Sequence, residues 1–125
     1  MKIMPPLAIA GALTFVACAP VDQSIRATVD RAEVCVASVF DEGSRLADGS
    51  RWSPGRSRTE VLVAHRRLPL GARVRITRLD TGAAIIAPVR DRGPYVAGRC
   101  VDLSVAAAAA LGFSGLARVR VEPID

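Results

Sequence analysis

The chain is short of lysine, histidine and aromatic residues, and each shortage excludes something. Lys2 is the sole lysine, so the positive balance of +5 is carried by arginine. An arginine-only, alanine-rich composition reports a GC-rich genome more simply than a nucleic-acid surface, and the charge suits a polyanionic wall or anionic lipid headgroups. One histidine and three scattered cysteines offer no zinc-ligand spacing, so neither a metal nor any other cofactor is expected. Long apolar runs are also missing. The one candidate, "MPPLAIAGALTFVA" at 4–17, is shorter than the ~18 to 20 residues a membrane-spanning helix needs. Placed after Lys2 and before Cys18, it has the order of an export signal.

The signal ends in "FVACAPVD". Cutting after Ala19 would leave Pro20 at the new N-terminus, which suits ordinary cleavage poorly, whereas cutting before Cys18 leaves a thiol ready for lipid attachment. The expected organisation is therefore a signal peptide at 1–17, a lipidated tether at 18–32 and one domain at 33–125. Several acyl chains on Cys18 would anchor the protein to a membrane. The alternative is a soluble periplasmic protein. In either case export exposes it to an oxidising compartment and away from nucleic acid. Cys35 and Cys100 then allow one disulfide, worth ~4 kcal/mol, or two buried free thiols.

Strand signals dominate the domain. "EVCVASVF" at 33–40 reads as a first strand. "DEGSRLADGSRWSPGRSR" reads as a long exposed loop, functional or mobile for its length. In "ARVRITRL" Val74 and Ile76 alternate with Arg73, Arg75 and Thr77, with Leu79 nearly in phase. "DTG" then turns the chain into "AAIIAPV", a hairpin with Gly82 free to take positive φ. Pro88 places a strand end or edge in the second arm, and "LARVRVE" alternates again. Only "SVAAAAALG" reads as helix, over 105–111, with Ser104 capping its start and Gly112 closing it. These elements predict a mainly β fold, a small barrel with one short helix packed on it.

Two long elements in this order, "VAHRRLPLGARVRITRLDTG" and "VRDRGPYVAGRCVDLSVAAAAALGF", followed by "ARVRVE", resemble the rare lipoprotein A proteins. These are septal lytic transglycosylases built on a six-stranded double-psi β-barrel, related to expansins. The resemblance implies an outer-membrane lipoprotein facing the periplasm, a monomer whose partner is the glycan strand of peptidoglycan. It implies cleavage of that strand without water, leaving a 1,6-anhydro end. One carboxylic acid protonates the leaving oxygen, and its conjugate base helps the sugar's own 6-hydroxyl attack.

Carried over by position, the family's histidine falls on His65 and its D-R-G-P aspartate on Asp91, while the expansin comparison points to Asp102. Asp102 precedes a helix start, where the dipole favours the charged form, and Asp91 carries no such handicap. Read from residue types alone, Asp91 could equally be a turn residue, Asp102 a helix-start anion and His65 a brace for "HRRLPLG". Trp52 and Tyr95 could stack on sugar rings, or Trp52 could cover the barrel. Arg92 could hold acidic parts of the wall, or pair with the aspartates. Ser50 stands where lytic relatives carry a glutamate, so the same barrel could grip glycan without cutting it. The segment from Ser50 to His65 is longer than the family pattern and adds Arg56 and Arg58, with Glu60 either a replacement carboxyl or the start of a strand.

Overall fold

A computed structural model describes residues 32–124. The expected signal peptide, Cys18 and the tether up to residue 31 lie outside the described residues. Six strands close into one barrel. They are β1 (Glu33–Val39), β2 (Val63–His65), β3 (Arg73–Arg78), β4 (Ala84–Asp91), β5 (Arg99–Leu103) and β6 (Ala117–Pro123). Around the barrel they run β1-β5-β2-β4-β3-β6. The β1–β5 and β2–β4 pairs are parallel and the other pairs antiparallel. Closure leaves no free edge on which another strand could build.

Alternation puts the core inside. Val74 and Ile76 of β3 are fully buried, as are Val89, Val101, Leu103, Val119 and Val121 on the neighbouring strands. Leu79, almost in phase with them in sequence, lies beyond β3 and is largely exposed. Pro88 sits inside β4 of a closed barrel, contrary to the strand end or edge expected. It is opposite Arg73, where β3 begins, and just before an irregularity in the β2–β4 pairing. The β3–β4 turn forms as expected, with Gly82 at φ 76. Cys35 and Cys100 are joined as a disulfide that ties β1 to β5, with their Cα atoms 5.8 Å apart.

Among the described residues, two helices pack on the barrel where one was expected. The first, α1 (Pro54–Thr59), lies inside the segment read as a loop. Ser53 caps it by accepting from the Arg56 amide, and proline opens its first turn. The second, α2 (Val105–Leu111), has the expected bounds, and Gly112 closes it in the left-handed conformation at φ 79. Ser104 links both. Its buried hydroxyl accepts from the amides of Leu62 and Ala107 and donates to the Glu60 carbonyl at 2.6 Å. Ser104→Ala strands all three groups, so urea denaturation should show a loss of about 2 to 3 kcal/mol.

Candidate active site

Pairing register brings two sequence-distant aspartates onto one face. Ala64 of β2 pairs with Asp102 on β5 at one side and with Asp91 on β4 at the other, and Asp102 pairs in turn with Ser38 of β1. The row therefore reads Ser38, Asp102, Ala64, Asp91 across four strands. Neighbouring strands lie ~4.8 Å apart, so the two aspartate Cα atoms are roughly 10 Å apart. Asp102 faces outward because Val101 and Leu103, on either side of it, fill the core. Asp91 lies two residues after buried Val89 and would face inward by simple alternation. The extra residue in β4, between the Val63–Val89 and Ala64–Asp91 pairs, reverses its side.

Each carboxylate is held through one oxygen. Asp91 Oδ1 accepts from the Ala47 amide at 2.8 Å, and Asp102 Oδ1 accepts from the hydroxyl of Ser38. Both aspartates are half-buried, and Ala64 between them is buried.

The segment before α1 leans on this row. The Asp48 amide donates to the Arg90 carbonyl at 3.2 Å, beside the Ala47 contact to Asp91. The Asp48 carboxylate accepts from the Ser50 amide at 2.8 Å and from its hydroxyl at 2.5 Å, and Arg56 donates to Ser50 Oγ at 2.7 Å and to the Arg51 carbonyl. The Ser50 hydroxyl, and then its amide and the charges of Arg56 and Arg90, hold the Asp48 carboxyl below the ordinary aspartate range against a smaller opposing effect of desolvation. Asp48 is thus a charged group near neutral pH rather than a proton donor. Neither Asp48 nor this use of Arg56 was singled out from the sequence. The signal was there in "DGS", where an aspartate commonly bonds the backbone two residues on.

Ser50 is engaged inside this network. Glu60, weighed as a replacement carboxyl, pairs with Arg56 at 3.0 Å and closes α1. Trp52 corrects one expectation. It is 5 % exposed and lies against Phe40, with Leu46 and Leu62 completing a second small core, so its ring offers no face to a sugar. Tyr95 differs, at 76 % exposed on the loop after β4. Arg92 spends one guanidinium nitrogen on the carbonyls of His65 and Leu68, so it braces a turn.

His65 does not join the aspartates. It pairs with core-facing Val101, one residue beyond Ala64, and so points to the opposite side of the sheet. Its Nδ1 accepts from the amides of Arg67 and Leu68, each at 3.1 Å, which leaves Nε2 to donate to Glu33 at 2.7 Å. The bracing role is the one the bonds support. His65→Ala should cost about 2 to 3 kcal/mol in a thermal or urea melt, from two stranded amides and a lost partner for Glu33.

Comparison with known proteins gives this arrangement a family. The sequence profile described as "Lytic transglycolase" matches residues 32–122, nearly all of the described barrel. The chain belongs to that family. Among lytic transglycolase relatives, the endolytic peptidoglycan transglycosylase RlpA of Pseudomonas aeruginosa is 53% identical over 67 residues, covering 52% of this chain and 20% of the relative. The probable endolytic peptidoglycan transglycosylase RlpA of Synechocystis is 36% identical over 104 residues, covering 79% of this chain and 31% of the relative. This chain thus spans a minor part of the length of the curated relatives it matches. The solved Streptomyces papain inhibitor shares the fold, with a TM-score of 0.62 at 21% identity over 76% of this chain and 96% of that one. The architecture is the double-psi β-barrel expected from the resemblance.

Proposed function

We propose that this barrel is an endolytic lytic transglycosylase that cuts peptidoglycan glycan strands and leaves 1,6-anhydro ends. The observation that carries the reading is the row of Asp102, Ala64 and Asp91, which sets two outward carboxylates on one face of a family barrel. Asp91 and Asp102 keep partial exposure on either side of buried Ala64, so each carboxylate can be reached from solvent.

Asp91 is the proton donor in this reading. It ends β4 beside the loop that carries exposed Tyr95, and the Ala47 amide occupies Oδ1, leaving Oδ2 for a ligand. Asp102 is instead flanked by paired strands on both sides. The proton on Asp91 passes to the glycosidic oxygen as the bond to the anomeric carbon breaks. The carboxylate left behind takes the proton of the sugar's 6-hydroxyl as that oxygen bonds the anomeric carbon. Asp91 ends protonated and no water is consumed. Tyr95 offers the ring face on which a pyranose stacks. The protein acts as a monomer facing the periplasm, held at the outer membrane by lipid on Cys18.

The second reading is a barrel that grips glycan without cutting it. Ser50 favours it, because that position carries a hydroxyl already engaged by Asp48 and Arg56. Incubating the purified chain with glycan strands stripped of peptides separates the two. Release of soluble fragments supports the enzyme, whereas retention on strands of undiminished length supports the binder.

A further inference from the structure

The far side of the barrel from the aspartates carries a basic face. In the closed strand order β6 lies opposite β2, so Arg118 and Arg120 stand diametrically across from Ala64. Both are exposed, as is Arg75 on adjacent β3, and among the described residues none of the three guanidiniums has a hydrogen bond or ion pair. Register places apolar residues beside them. Val34 pairs with Arg120 and Ile86 with Arg75, each about half exposed at 51% and 50%. Glu122, opposite Arg75, is the acidic residue of this face. Exposed arginines alternating with exposed aliphatic side chains match a surface that is anionic outside and apolar just beneath.

Val34, Arg120 and Glu122 also line a shallow cavity of about 260 Å³ together with Ala32, just before β1. We propose that the face formed by Arg75, Arg118, Arg120, Val34 and Ile86 docks on an anionic phospholipid leaflet. Docked this way, the barrel turns Asp91 and Asp102 away from the bilayer. The inference stands on charge and register, and does not depend on glycan cleavage.

The barrel closes within residues 32–124, so residues 19–125 can be tested without signal or lipid. Co-sedimentation with vesicles of phosphatidylcholine containing about 30 mol% phosphatidylglycerol should show binding that pure phosphatidylcholine does not. Raising salt should weaken it. The combined Arg75→Gln, Arg118→Gln, Arg120→Gln variant should bind on the order of a hundredfold more weakly, about fivefold per arginine. Asp91→Asn should bind as the parent does. Equal binding to both vesicle types, or undiminished binding by the triple variant with its circular dichroism unchanged, would overturn the proposal. So would loss of binding to purified sacculi, rather than to vesicles, in that variant.

Discussion

Asp91→Asn should lower release of glycan fragments by about 10²- to 10⁴-fold, the range that one general acid contributes. Folding should survive the change. Asparagine keeps a carbonyl oxygen that can still accept from the Ala47 amide, so the contact at 2.8 Å is retained and only the transferable proton is lost. Asp102→Asn likewise keeps an acceptor for the Ser38 hydroxyl. Its expected effect is smaller, because Asp102 shapes the charge of the row without delivering the proton. If the two effects come out reversed, the acid is Asp102, and the expansin comparison rather than the D-R-G-P element located it.

Replacing both Cys35 and Cys100 by alanine should cost about 4 kcal/mol, the largest stability effect expected of any change here. The bond closes a loop with a sequence separation of 65, and a cross-link of that span removes much of the freedom of the unfolded chain. Such a loss is a large share of the ~5 to 15 kcal/mol that holds a domain folded. It also bears on the site. The disulfide ties β1 to β5, the two strands that carry Ser38 and Asp102. Urea midpoints with and without reductant measure the effect, and a loss under about 1 kcal/mol would show that the barrel's burial alone constrains the chain.

Much of this was legible in the sequence, and particular residues show where legibility ended. Ser104 and Gly112 framed α2 because capping is local chemistry. Val74 and Ile76 marked β3 because a strand with one buried face must alternate. The α1 helix was missed because "PGRSRT" has no apolar period. Its burial rests on Ser57, whose hydroxyl donates to the Phe40 carbonyl and accepts from the Val105 amide. Trp52 stayed open between stacking on sugar and covering the barrel for the same reason, since nothing in the flanking polar residues reveals the cluster with Phe40, Leu46 and Leu62.

The site shows the same division. The family resemblance gathered His65, Asp91 and Asp102 as candidates, but matching motif positions carries no information on which face a strand residue occupies. His65 follows Ala64 by one position, and one position in a strand is the difference between the aspartate row and the opposite side. Asp91 depends on an irregular pairing that only the assembled barrel reveals. The local turn of Asp48 on Ser50 could be read from "DGS", but its place beside the row could not, because the bond from its amide to the Arg90 carbonyl is long-range.

If the Asp102, Ala64, Asp91 row cuts glycan through Asp91, the mass of the new glycan ends records it. Purified chain and its Asp91→Asn variant would be incubated with the same stripped strands and the products weighed by mass spectrometry. Cutting through Asp91 requires ends lighter than hydrolysis products by one water, from the native chain alone. Ends that have gained water, or equal anhydro product from the variant, would contradict it.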